Sequence, residues 1–159
     1  MERDEFFTKE ERELLFSLYK KLLRLTGETL QKGDCRKLKK HLIDSTQNNT
    51  MQRDSFGLNP VIKDMQTAVI VAEEIGMKRA SILGIMLHTP VRCHSYTIEY
   101  IQQEYGEDVA GIIRGLIKIN DLYDKSPTIE SENFRNLLLS FAEDMRVVLI
   151  MICLLYTSD

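Results

Sequence analysis

One stretch of the chain, residues 82–96, joins a strongly apolar segment to polar residues that could do chemistry. It reads ILGIMLHTPVRCHSY, with His88 at the end of the apolar run and His94 six residues later. An imidazole at the inner end of a buried helix can hold a divalent metal ion or carry a proton. Pro90 disfavours helix at Thr89, so helical geometry does not bring the two histidines together. A hydrogen-bonded or exposed His94 is therefore favoured over a metal pair.

The other reactive side chains fit structural roles better than catalytic ones. Cys93 has no evident base or orienting partner, so a turn-filling role is favoured over that of a nucleophile. His41 lies among lysines on an amphipathic helix, which predicts a surface residue. The basic run over residues 36–40 has no interleaved aromatics, so a solvated helix face is favoured over a phosphate or nucleic-acid site. The three cysteines show no CxxC spacing, which argues against a disulfide framework or a zinc knuckle.

The composition is that of a soluble helical domain. The chain has 159 residues, of which 43% are hydrophobic and 28% charged, and it has few glycines (8) and prolines (3). The net charge of −3 argues against direct binding of nucleic acid. The charged N-terminus does not resemble a signal peptide, and the apolar run 147–155 is far shorter than the ~20 residues that cross a bilayer. We therefore expect a cytoplasmic protein with no membrane contact.

Apolar spacing and capping residues predict helices along the chain. Thr8 opens the first with a capping box, Asp34 is the expected N-cap of the second, and Asn59-Pro60 begins the third. The helix that ends at His88 is apolar on nearly its whole circumference, which predicts burial on all sides. The remaining helices are expected over 98–105, over 109–120, from Glu130 and over 145–155, with loops over 47–57 and 121–129.

Three stretches carry a resemblance to a known family. They read IMLH (85–88), YTIE with EYGEDVA and GLIK (between 96 and 118), and ENFRNLLLSFAEDMRVVLI (132–150). Together they resemble the N-terminal HD domain of the long RelA/SpoT proteins over residues 58–152. The third stretch is the most specific, because the family spacing is kept at Glu132, Asn133, Arg135, Asp144 and Arg146. The resemblance implies an all-α, HD-like bundle of about seven to eight helices, in a single domain over residues 1–152.

Active members of that family hydrolyse the 3′-pyrophosphate of (p)ppGpp with a manganese ion, and the resemblance assigns the four ligand positions. The first histidine aligns with Asn49, the His-Asp pair with His88 and Thr89, and the last aspartate with Leu154. His88 is thus the one retained family ligand. A cation held by one imidazole has no enclosing donor set, so neither a metal site nor another cofactor is expected here.

The family's catalytic Glu-Asp pair falls on Arg92 and Cys93, so no catalytic residue is expected. The positive charge of Arg92 would also repel a bound cation. In the nucleotide-binding loop Arg53 and Gly57 alone persist, which leaves Arg53 as the candidate contact to a guanine nucleotide. The match stops after Ile152, and the tail 153–159 (CLLYTSD) has no counterpart in the family. This predicts a truncated reading frame with an unrelated tail.

Three functions remain open from the sequence. The first is a catalytically degenerate, regulatory HD domain of a stringent-response (p)ppGpp synthetase (GTP pyrophosphokinase). Its partner would be the synthetase domain of the same protein, with a guanine nucleotide as a further candidate. The second is an active metal-dependent (p)ppGpp phosphohydrolase built on His88, His94, Asn49 and Asp64. The third is an unrelated helical interaction module.

Overall fold

The computed structural model describes residues 7–47, 53, 57–125, 136 and 144–156. Every regular element in these ranges is helical, which confirms the all-α prediction. The helices are α1 (Lys9–Thr26), α2 (Asp34–Gln47), α3 (Pro60–Ile70), α4 (Arg79–Arg92), α5 (Ile98–Tyr105), α6 (Glu107–Lys125) and α7 (Met145–Tyr156), with a π-helical turn (Val71–Ile75) after α3. Within the described part of the chain, no helix is both long and apolar enough to cross a membrane.

The predicted N-terminal capping signals of α1 and α3 are confirmed. The Thr8 hydroxyl accepts the Glu11 N–H at 3.1 Å, and the Glu11 carboxylate accepts the Thr8 N–H at 2.9 Å, which completes the capping box. Asn59 accepts the Val61 N–H at 3.0 Å and places Pro60 at the first helical position, where its missing N–H costs nothing. These contacts fix where α1 and α3 begin.

Helix α4 is the centre of the bundle. Every residue from Ser81 to Val91 is buried, as the apolar circumference predicts, and α4 packs against α3, α6 and α7. Gly84 permits the closest approach, because a Cβ built there would lie 2.5 Å from the Ile112 Cγ2 on α6. The core therefore holds the α4 backbone, and the polar residues at its C-terminal end, in one position.

Two predicted helix ends are wrong. Helix α4 does not stop at His88 but continues through Pro90 to Arg92. Burial of Val91 and a hydrogen bond from the Cys93 N–H to the Thr89 carbonyl (2.9 Å) stabilise the turn that the proline ring disfavours. Helix α6 runs five residues beyond Asn120 to Lys125, over a segment that contains no glycine or proline.

The prediction that His41 lies on the surface is also wrong. Its side chain is buried, and its Nδ1 lies 3.3 Å from the Tyr96 hydroxyl on the turn after α4. The reason is its position three residues after Leu38, which places the imidazole on the apolar face of α2. The basic residues around it do lie mostly outside. Asp34 begins α2 itself rather than preceding it, and its buried carboxylate pairs with Arg79 at 2.7 Å.

Several predictions fall outside the described residues. These are Asn49, most of the 47–57 loop, the loop around Pro127, and nearly all of the helix expected from Glu130, including Glu132, Asn133 and Arg135.

Candidate functional site

A small cavity lies at the C-terminal end of α4. Its volume is about 70 Å³, and side chains from α3, α4, α6 and α7 line it. Helix α3 contributes Asp64, helix α4 contributes His88 and Thr89, and helix α7 contributes Leu154. The other lining residues are Pro60, Lys63, Arg92 and Asn120. The core packing of α4 against three other helices thus brings residues far apart in sequence to one place.

The polar side chains of this cavity lie close together. The Thr89 hydroxyl donates to the Asp64 Oδ2 at 2.6 Å, and the His88 Nε2 lies 3.9 Å from the Asp64 Oδ1. The His88 Nδ1 lies 2.7 Å from the Ile85 carbonyl oxygen. Because a carbonyl only accepts, Nδ1 carries the proton of this bond and Nε2 is the nitrogen turned toward the carboxyl group. The three side chains therefore form a small buried polar cluster.

Asp64 lies in an environment that disfavours its charge. Its side chain is 3% exposed, and burial raises the pKa of this carboxyl group above its ordinary value. His88, the Thr89 hydroxyl, Arg92 and Lys63 act in the opposite direction and offset part of that pKa shift. The carboxyl group thus depends on its neighbours for any charge it carries.

Three of the four family ligand positions lie at this cavity. His88, Thr89 and Leu154 line it together, as the resemblance implies, while Asn49 lies outside the described residues. Asp64 is a further polar side chain in the cavity. From the sequence it is a candidate only under the alternative of an active phosphohydrolase. A signal for it exists in the sequence: Asp64 lies three residues after Val61 and four before Ala68, so a carboxylate falls on an apolar stripe.

The described residues of this cavity offer few ligands for a divalent cation. The cavity offers one carboxylate and one imidazole, Asp64 and His88. Among the described residues, no group of three or more His, Cys, Asp or Glu side chains could hold a metal ion. Leu154 presents only carbon, and the Thr89 hydroxyl is already bonded to Asp64. Catalytic metal sites use about three protein ligands with an open position, and the described residues that line this cavity provide two.

The remaining sequence-predicted site residues lie around the cavity or away from it. Arg92 is exposed at its edge, and Cys93 caps α4 with partial exposure. His94 is exposed and has φ of +63°, a left-handed conformation in the turn between α4 and α5. It lines a neighbouring cleft together with Glu99 and Asp121. The turn therefore directs His94 to a different surface from His88.

Arg53 is paired within the protein. Its guanidinium makes a two-pronged contact with the Glu11 carboxylate, at 2.8 and 2.6 Å, and donates to the Gly57 carbonyl at 3.1 Å. The hydrogen bond from Arg53 lowers the pKa of Glu11 to about 2. A nucleotide phosphate at Arg53 would have to compete with this carboxylate.

Comparisons with known proteins agree with the family resemblance seen in the sequence. The HD domain family model matches residues 44–154. The guanosine-3′,5′-bis(diphosphate) 3′-pyrophosphohydrolase of Aquifex aeolicus is 34% identical over 62% of this chain and 14% of its own length. The corresponding protein of Haemophilus influenzae is 28% identical over 57% of this chain and 14% of its length.

A third relative carries a different name. The GTP pyrophosphokinase rsh of Brucella melitensis is 27% identical over 71% of this chain and 15% of its own length. The chain thus spans about one seventh of the curated relatives it matches. No solved structure gives a significant match. Since the family model covers more than half of the chain, the chain belongs to the HD domain family, and its HD domain is of the RelA/SpoT type.

Proposed function

We propose that this chain is a catalytically inactive HD domain that regulates a (p)ppGpp synthetase within the protein to which it belongs. The observation that carries the proposal is the composition of the cavity at His88. A metal phosphohydrolase needs several ligands for its cation and a further acid or base near the attacked phosphate. This cavity supplies Asp64 and His88, an apolar wall at Leu154, and the cation Arg92 at its edge.

The regulatory part of the proposal is supported by the intact scaffold. The buried face of α4 is well packed although the polar residues at its end differ from those of the active family. A domain that retains its packing while losing its site can still bind a neighbouring domain and shift that domain between active and inactive states. Relatives named GTP pyrophosphokinase suggest a synthetase domain as the partner, in the cytoplasm, with a guanine nucleotide as a candidate ligand.

Titration calorimetry with Mn²⁺ tests the inactive site. We expect no stoichiometric binding by the purified chain, because two protein ligands do not enclose the ion. Micromolar, one-to-one binding that is lost in both Asp64→Ala and His88→Ala would contradict the proposal. An active HD domain of a relative, titrated under the same conditions, serves as the positive control.

The regulatory role is tested in the complete protein that carries this domain. Gly84→Leu would force α4 away from Ile112 and disturb the packing of the domain, although Gly84 itself does not line the cavity. We expect synthesis of (p)ppGpp from GDP or GTP to change several-fold. Unchanged synthesis, with the domain shown to be disordered by limited proteolysis, would contradict the proposal.

One observation favours a second function. The 3.9 Å between His88 Nε2 and Asp64 Oδ1 would let both groups approach a single ion. An active metal-dependent phosphohydrolase therefore remains the alternative, and it requires the Asp64- and His88-dependent Mn²⁺ binding described above.

A further inference from the structure

A groove separate from the cavity runs between α1 and α2. Its volume is about 360 Å³, within the ~300–1,000 Å³ range of ligand pockets. Its apolar lining comprises Leu15, Phe16, Tyr19, Leu42 and Ile43. Leu15 and Leu42 are buried, whereas Phe16 is 55% and Ile43 41% exposed. The groove thus has a floor anchored in the core and apolar walls open to solvent.

The rim of the groove is positively charged. Arg12 and Lys20 on α1 and Lys39 on α2 line it, and none of its described lining residues is acidic. This part of the chain is also basic as a whole. Residues 9–47 contain ten Lys and Arg against six Asp and Glu, although the complete chain has a net charge of −3. The excess of positive charge therefore lies in the segment whose two helices form the groove.

The two walls of the groove are tied together. The Tyr19 hydroxyl on α1 donates to the Cys35 carbonyl on α2 at 3.4 Å. Leu15 and Leu42 belong to the hydrophobic core that joins both helices to the rest of the bundle. The groove is consequently present before any partner binds, which reduces the entropic cost of binding.

We propose that this groove binds an acidic amphipathic helix of a partner protein. Such a helix would place apolar residues at positions i, i+3, i+4 and i+7 against Phe16 and Ile43, and its flanking carboxylates near Lys20 and Lys39. The concave shape fits a helix better than a flat bilayer surface. A symmetric second copy would place like charges opposite each other, which costs free energy. No lining residue is shared with the cavity at His88, so the groove is independent of any alarmone chemistry.

The test uses the complete 159-residue chain and three labelled peptides. The first is a designed helix of about 18 residues with Leu at helical spacing and flanking Glu. The second replaces each Glu by Lys, and the third is a scrambled sequence. Fluorescence anisotropy measures the affinity of each peptide. We expect the acidic peptide to bind, and the other two to bind at least about tenfold more weakly.

Matched variants locate the binding surface. Ile43→Ser should weaken binding of the acidic peptide about tenfold, as for an interface anchor. Ile75→Ser is the control, because Ile75 lies outside the groove with nearly the same exposure (42% against 41%). Lys39→Glu should weaken binding in a salt-dependent manner. Its neighbour Lys40, which is exposed on the same helix and does not line the groove, gives the charge-matched control Lys40→Glu.

Each other outcome would overturn the proposal. These outcomes are no binding of the acidic peptide, equal binding of the basic peptide, or binding unaffected by Ile43→Ser. Self-association removed by Ile43→Ser, without peptide binding, would assign the groove to a second copy. Binding to phosphatidylglycerol vesicles in preference to the acidic peptide would assign it to a membrane. Circular dichroism verifies that Ile43→Ser remains folded, and Phe16→Ser replaces it otherwise.

Discussion

Acidification should destabilise this domain through His41. The imidazole is 3% exposed, and burial lowers its pKa from 6.5 to about 4, with the negative charge of Asp44 acting in the opposite direction. The neutral ring lies against the Tyr96 hydroxyl on the turn that follows α4. A proton on His41 would place an uncompensated charge in the core, so the folded state resists protonation.

The size and sign of the change in the free energy of unfolding follow from the pKa of His41 in the unfolded chain, 6.5, and in the folded chain, about 4. Above pH 6.5 the ring is neutral in both states, and His41 does not affect the pH dependence of folding. Between 6.5 and about 4 the unfolded chain binds a proton that the folded chain does not, so the free energy of unfolding falls as pH falls. At about 1.4 kcal/mol per pKa unit, the full loss is about 3 kcal/mol. Most of it should be present by about pH 4.5.

Denaturant unfolding at about pH 7 and about pH 4.5, followed by circular dichroism, measures this loss. We expect His41→Gln, which cannot titrate, to lose about 2 kcal/mol less than the wild type over that interval. His94→Gln, at an exposed position, is the control and should lose as much as the wild type. Equal losses in the wild type and His41→Gln would refute the assignment of the acid sensitivity to His41.

Three further perturbations test the packing and the polar cluster. Asp64→Asn keeps an acceptor for the Thr89 hydroxyl and removes the buried ionisable group, so in denaturant unfolding it should be neutral or stabilising by about 1 kcal/mol. Asp64→Ala should lower the free energy of unfolding by about 1–3 kcal/mol, and equal losses in both variants would contradict this reasoning. Gly84→Ala should lower the free energy of unfolding by about 1–2 kcal/mol because of the clash with α6, whereas Gly111→Ala, with no neighbour within 4 Å, should raise it by up to about 1 kcal/mol. Arg53→Gln should raise the pKa of Glu11 from about 2 toward 4.5, measured by NMR titration; an unchanged pKa would show that the pair does not form in solution.

Local signals in the sequence determine much of the fold. The caps at Thr8 and Asn59 depend on short-range hydrogen bonds, and both lie where the sequence predicts them. The errors come from tertiary packing, which local patterns do not contain. Pro90 stays inside α4 because the surrounding core is buried, and His41 points inward because α2 packs on that face.

The site was only partly predictable for the same reason. The family spacing brings His88, Thr89 and Leu154 to one cavity, although 65 residues separate Thr89 from Leu154. The role of Asp64 depends on how α3 packs beside α4. The sequence indicates this only indirectly, because it places a carboxylate on an apolar stripe. The hydrogen bond from Thr89 to Asp64 could be recognised only in three dimensions.

The most direct test of the central claim is the release of pyrophosphate from ppGpp by the purified chain in the presence of Mn²⁺. Our proposal that Thr89 and Leu154 replace metal ligands predicts no release above a protein-free control. Release that requires Mn²⁺ and disappears in His88→Ala would contradict the account and identify the domain as an active hydrolase.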